Sequence, residues 1–98
     1  MPFFTVVIPT FNRADKLAAT IRSVLEQTFQ DFELLVMDDG STDDTEKMVS
    51  SLSDPRVRYG WAPNSGGPAT PRNRGIDAAS APWVSFLDAD DIWYPTRL

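Results

Sequence analysis

Two apolar runs rich in β-branched residues, Phe4-Thr5-Val6-Val7-Ile8 and Phe32-Glu33-Leu34-Leu35-Val36-Met37, are each followed by a segment with helical periodicity. Little polar alternation interrupts either run, which is the pattern of central strands covered on both faces. From Asp15 to about Gln27, Leu17, Ile21, Val24 and Leu25 recur on one helical face, and Asp15 near the start suits the helix dipole. The alternation continues. A second helix through Thr45 to Leu52 buries Met48, Val49 and Leu52, and Ser53-Asp54-Pro55 ends it. Val57-Arg58-Tyr59-Gly60-Trp61 is shorter and more polar, as an edge strand would be. A third helix is expected over Arg72 to Ala79, and Trp83-Val84-Ser85-Phe86-Leu87 reads as a short buried strand. Pro9 should stop the first strand. Ala62 to Pro71, with Pro63, Gly66, Gly67, Pro68 and Pro71, should form an irregular loop. Strand–helix alternation of this kind predicts an α/β fold: a mostly parallel, open, Rossmann-like sheet with helices on both faces, because right-handed crossovers place them there.

With 98 residues the chain is expected to form one domain, and it shows no internal repeat or linker. Net charge is −5, from 14 acidic and 9 basic residues, which argues against nucleic acid as a partner. An anionic ligand would be repelled by the chain as a whole unless a cation inverted the local field. No apolar run has the length of a membrane span, and Met1-Pro2-Phe3-Phe4 lacks the basic start of a signal peptide. Cysteine is absent, which excludes a disulfide framework. A cytoplasmic protein is the expectation.

In open parallel sheets, ligands bind at the carboxyl ends of the strands, where strand order reverses. Three such ends carry conspicuous loops: Pro9-Thr10-Phe11-Asn12, Asp38-Asp39-Gly40-Ser41 and Asp88-Ala89-Asp90-Asp91. In an extended chain Asp88 and Asp90 would face one way and Asp91 the other. Two carboxylates in one small volume repel unless a cation joins them. Hard oxygen donors, in a chain without His or Cys, favour Mg²⁺ or Mn²⁺ over zinc, and magnesium commonly completes its shell with phosphate oxygens. The expected ligand is a metal-bound diphosphate. The competing reading is that the acidic triplet merely opens the next helix, and Asp91 by itself is better explained as such a cap. Asp39, just past the second strand, is a candidate for a nucleotide's hydroxyls or exocyclic donors, with Asp38 orienting it; the competing reading makes both of them turn and cap residues. Gly40 supplies the permissive turn, and Ser41, Thr42 or Asp43 can cap the second helix. Arg72 and Arg74 could reach phosphate oxygens from the start of the third helix, or pair with the surplus acids. There is no Gly-x-Gly-x-x-Gly and no Walker lysine motif, so neither a dehydrogenase nor a P-loop enzyme fits.

Taken in order, Val7-Ile8-Pro9-Thr10-Phe11-Asn12-Arg13, Val36-Met37-Asp38-Asp39-Gly40-Ser41-Thr42-Asp43, Arg72-Asn73-Arg74-Gly75-Ile76 and Phe86-Leu87-Asp88-Ala89-Asp90-Asp91 resemble the successive motifs of the family-two inverting glycosyltransferases of the GT-A fold. The resemblance spans essentially the whole chain. It implies a nucleotide-sugar site in which Pro9, Thr10, Phe11 and Asn12 line the base and ribose and Asp39 hydrogen-bonds the base. Asp88 and Asp90 would be the family's Asp-x-Asp motif, Asp88 near the ribose and Asp90 on Mn²⁺ or Mg²⁺ bridging the diphosphate. The donor would be a nucleotide diphosphate sugar, with UDP the first choice, and the acceptor a hydroxyl of a glycan, a lipid-linked carrier or another molecule. The full-length protein would sit in the cytoplasm or peripherally at the inner face of the membrane. The resemblance also implies that residues 1–98 are the N-terminal, donor-binding half of a longer domain, with the general base beyond Leu98. A Mg²⁺-dependent phosphatase is disfavoured, because its Asp-x-Asp typically follows the first strand and a later lysine is required, whereas no lysine follows Lys47. A non-catalytic nucleotide-binding or interaction module is the remaining alternative.

Overall fold

A computed structural model describes residues 2–67 and 69–98; Met1, and Pro68 of the expected loop, lie outside the described residues. Four strands, β1 (Phe4–Thr10), β2 (Phe32–Asp38), β3 (Val57–Trp61) and β4 (Trp83–Phe86), alternate with helices α1 (Ala14–Leu25), α2 (Thr45–Ser50) and α3 (Ala69–Ala78). All pairings are parallel, in the order β3-β2-β1-β4. The chain therefore builds outward from β1 through β2 to β3, then returns to the far side of β1 for β4. That reversal lies between β1 and β4.

Period-two alternation divides the two faces of the sheet. Val6 and Ile8 of β1 and Leu34 and Val36 of β2 pack with Leu17, Ile21 and Val24 of α1 and Val49 of α2. Val7, Leu35 and Met37 point the other way, where Ala78 of α3 meets them. Helices thus cover both faces, as the alternation requires. Gly75 lets α3 lie directly on Val7 of the central strand: a Cβ there would fall 2.4 Å from a Val7 methyl.

Three local expectations are corrected. First, β1 runs on through Pro9 to Thr10, paired with Met37 and Asp38. Odd-numbered residues of β1 direct their polar groups toward β4, as the Val7 carbonyl does in accepting the Leu87 N–H at 3.0 Å. The last pairing with β4 is Val7 with Phe86, so the N–H that Pro9 lacks faces no ladder partner. Second, β4 lies at the edge of the sheet among the described residues, with Trp83 59% and Phe86 40% exposed there, in place of the expected buried strand. Third, α3 begins at Ala69, inside the expected loop, with Pro71 in its first turn, where a missing N–H costs nothing.

Glu33, read from sequence only as part of a strand, ties the end of the sheet opposite the strands' carboxyl termini. It is buried and accepts from the Thr5 hydroxyl (2.6 Å), the Ser80 N–H and hydroxyl (both 2.7 Å) and the Arg58 guanidinium (3.0 Å). Burial alone would raise its pKa, but the four donors outweigh it and hold the carboxyl below its ordinary 4.5. A depressed carboxylate contributes stability above its unfolded pKa and loses it as pH falls through the folded value. Glu33→Gln should therefore cost about 1–3 kcal/mol at neutral pH. In urea melts the gap between variant and parent should narrow progressively as pH falls below the ordinary 4.5 of the carboxyl, and a gap independent of pH would contradict this account.

Candidate functional site

The carboxyl ends of β1, β2 and β4 open onto a cleft of about 420 Å³. Pro9, Thr10 and Phe11 come to it from β1, Asp39 from the end of β2, and Asp88, Ala89 and Asp90 from the segment after β4. This is the side of the sheet on which strand order reverses, where an open α/β sheet receives its ligand.

Asp88 and Asp90 reach the cleft by a different route from simple alternation. Ala89 and Asp90 form a turn closed by the Asp91 N–H donating to the Asp88 carbonyl at 3.0 Å, so the pleat does not set their directions. Helix α1 holds this turn. The buried Thr20 hydroxyl donates to the Ala89 carbonyl (3.0 Å), and the Ser23 hydroxyl accepts the Trp93 N–H (3.2 Å). Asp88 also pairs with Arg72 at 3.3 Å, both side chains well exposed, and Arg72 sits over the Phe86 ring at 5.9 Å. Asp91 faces a separate cavity with Arg72 and Trp93, and among the described residues no helix begins after it for it to cap.

The loop after β2 divides its duties. Asp38 is fully buried; its carboxylate accepts the Ser41 N–H (2.9 Å) and the Tyr59 hydroxyl, and it does not line the cleft. Desolvation, then hydrogen bonding to Asp38, pushes the Tyr59 hydroxyl pKa upward. Asp43 anchors two helices at once, accepting the Ala14 N–H of α1 (3.1 Å) and the Thr45 N–H of α2 (3.1 Å). The Thr45 hydroxyl, the larger influence, and these N–H groups lower its pKa. Asn12 clasps the same loop from a left-handed backbone (φ 50°): its N–H donates to the Ser41 hydroxyl (2.8 Å) and its side-chain oxygen accepts the Thr42 N–H (2.9 Å). Like Asp38, Asn12 is not among the residues that line the cleft.

Asp39 does line the cleft, under the loop that follows β3. The Ser65 N–H reaches both of its oxygens (3.1 and 3.2 Å), the Ser65 hydroxyl donates to Oδ2 (3.0 Å), and Asn64 donates to its carbonyl (2.9 Å). Gly40 makes that approach possible. With φ +90° it has a left-handed conformation, and a Cβ there would lie 2.5 Å from the Asn64 nitrogen.

Arg72 and Arg74, two residues apart on α3, point in different directions, since i and i+2 do not share a helix face. Arg74 turns toward β3 and donates to the Asp38 carbonyl at 3.3 Å, away from the cleft. Sequence reasoning also missed Arg13, Asn64, Gly66 and Gly67 on the cleft wall. Arg13 stood in a loop motif already noted; the others needed the tertiary contact of the loop after β3 with Gly40. Thr10 presents a buried hydroxyl that has no hydrogen-bond partner among the described residues.

Residues 5–98 match the family model described as glycosyl transferase family 2. The chain is 44% identical over 94 residues to the GalNAc(5)-diNAcBac-PP-undecaprenol beta-1,3-glucosyltransferase of Campylobacter jejuni, covering 93% of this chain and 30% of that protein. It is 38% identical over 94 residues to the UDP-Glc:alpha-D-GlcNAc-diphosphoundecaprenol beta-1,3-glucosyltransferase WfgD of Escherichia coli, covering 96% and 37% respectively. It thus spans little more than a third of these relatives at most. Among solved structures, S. aureus TarS 1-349 in complex with UDP-GlcNAc superposes with a TM-score of 0.90 at 33% identity, over 95% of this chain and 28% of that one. Mannosyltransferase PcManGT from Pyrobaculum calidifontis, in complex with GDP-Man and Mn²⁺, gives 0.85 at 28% identity, over 94% and 28%.

Proposed function

This chain belongs to glycosyl transferase family 2 and has the GT-A fold, and from that premise we propose that its cleft holds the nucleotide diphosphate of a sugar donor. One observation carries the reading: Asp39, Asp88 and Asp90, from two different strand ends, meet the end of β1 around a single cleft. UDP is the proposed nucleotide, because TarS binds UDP-GlcNAc in the same fold.

The donor set suits a hard cation. Among the described residues no cluster of three or more His, Cys, Asp or Glu exists to build an all-protein metal cage. Two carboxylates on one cleft match Mg²⁺ or Mn²⁺, which take one or two such ligands and fill the rest with phosphate oxygens and water. Asp90 would hold the cation, with Asp88 beside it and near the ribose. Once bound, the cation would supply Lewis-acid stabilisation of the charge that develops on the leaving diphosphate.

The chain's own residues then bind and orient. Asp39 accepts a hydrogen bond from the base, Phe11 offers a half-exposed ring to it, and the orphan Thr10 hydroxyl gains a polar partner. Arg13, on the cleft wall, brings positive charge to the phosphates, and Arg72 adds to it from the neighbouring cavity, where it is paired with Asp88. Transfer with inversion would be a single displacement by an acceptor hydroxyl, whose deprotonation requires a carboxylate base that we assign to none of these residues. The names of the two relatives point to acceptors on diphosphoundecaprenol, so a lipid-linked acceptor at the membrane is the proposed partner of the whole protein. No helix among the described residues is long and apolar enough to cross a membrane, so attachment through these residues would be peripheral.

Calorimetric titration of the chain with UDP tests the reading. Binding should require Mn²⁺, and the 98-residue chain should show no sugar transfer to an acceptor. UDP binding that is absent with Mn²⁺, or equally strong without it, would refute the proposal.

A further inference from the structure

Ser65 has one hydroxyl proton and two acceptors for it. Its Oγ lies 3.0 Å from Asp39 Oδ2 and 3.2 Å from the Gly67 carbonyl, and only one of these can receive the proton at a time. Its N–H reaches both Asp39 oxygens. Asn64 adds a longer contact to Oδ2 at 3.4 Å.

The donors around Asp39 are thus unevenly divided. Oδ2 receives the Ser65 hydroxyl, the Asn64 amide and a share of the Ser65 N–H. Among the described residues, Oδ1 receives only the rest of that N–H. An ionised carboxylate has about four lone-pair sites, so the uncommitted capacity lies on Oδ1. Every group that holds Asp39 from this loop is a donor, which fixes it as an acceptor in the cleft wall.

We propose that Ser65 is the positioning residue for base selection: it pins Asp39 through Oδ2, so that Oδ1 accepts an N–H from the Watson–Crick edge of a nucleobase. This rests on the donor-site reading above. A base with a ring N–H at the middle of that edge, the N3–H of uracil or thymine or the N1–H of guanine, is accepted; the exocyclic amino group of cytosine lies to one side of that position. Cytosine carries a lone pair at N3, which the carboxylate repels. The contact to Oδ2 is the shorter of the two, and it is the one the hydroxyl keeps while a base is bound; the Gly67 carbonyl is its competitor.

Ser65 is exposed and outside the core, so its substitution should leave the fold intact. In titrations with Mn²⁺ present, Ser65→Ala should weaken UDP about 5- to 20-fold, the loss of one hydrogen bond to a charged group. CDP, which offers no ring N–H to the aligned Oδ1, should change less than about twofold, so the UDP-to-CDP preference falls by nearly the whole factor. Ser65→Thr, which keeps the hydroxyl, should restore it. Equal weakening of both nucleotides, undiminished UDP binding by Ser65→Ala, or a preference that stays low in Ser65→Thr would each overturn the assignment. If the parent chain binds neither nucleotide with Mn²⁺, the donor-site reading itself falls. If the parent prefers UDP and Ser65→Ala does so equally, only the role of Ser65 falls.

Discussion

Gly75→Ala should cost this fold about 2 kcal/mol, an estimate that balances two opposing effects. Alanine is the better helix former, which favours the substitution by about 1 kcal/mol within α3. Against that, the new methyl would lie 2.4 and 2.8 Å from the two methyls of Val7 and 3.2 Å from its Cβ. Val7 is fully buried in the central strand, and its β-branched side chain has no free rotamer into which to retreat. Overpacking of this kind costs about 3 kcal/mol, so the clash wins. For a domain of this size the loss lowers the melting temperature by roughly 8–16 °C. Val7→Ala in the same chain should recover part of it, because the two changes share one contact. An unchanged melting temperature for Gly75→Ala would mean that α3 does not lie against β1 as described.

The second large effect is expected at Asp90. Its exposed carboxylate lines the cleft and has no ion-pair partner among the described residues, whereas Asp88 is paired with Arg72. Replacing Asp88 would release an arginine as well as remove a ligand, so Asp90 is the cleaner probe. Asp90→Ala should leave thermal stability near that of the parent while UDP affinity in Mn²⁺ drops to the metal-free level. Loss of even an outer-shell partner commonly weakens metal binding 10- to 100-fold, so at least about tenfold is expected for a direct ligand. Asp91→Ala is the control: its side chain faces the neighbouring cavity, and UDP affinity should stay within about twofold. Metal-dependent binding that survives Asp90→Ala would remove the cation from this part of the cleft.

Much of the architecture was legible because it rests on local periodicity. Runs such as Val6-Val7-Ile8 and Leu34-Leu35-Val36, short and rich in β-branched residues, read as central strands, and helical spacing at Leu17, Ile21 and Val24 covers one face of them. The boundaries were less legible. Pro9 remains in β1 because its missing N–H happens to face a side on which β4 has already ended, and no local rule carries that information. Trp83 and Phe86 look like core residues in sequence, yet β4 lies at the edge of the described sheet.

The acids divide along the same line. That Asp38, Asp39, Asp88 and Asp90 stand where strands give way to loops could be read directly, since apolar runs end at them. Which of them meet a ligand could not. Asp38 is consumed by Ser41 and Tyr59, residues 3 and 21 positions away, and Asp39 is held by Ser65, 26 positions away. Composition, periodicity and motif order are properties of neighbours along the chain, and they determined the class of fold, the parallel sheet and the family. The partner of each carboxylate is a property of neighbours in space, so only packing of the β2 loop against the β3 loop, and of α1 against the acidic turn, decided which oxygens remain available in the cleft.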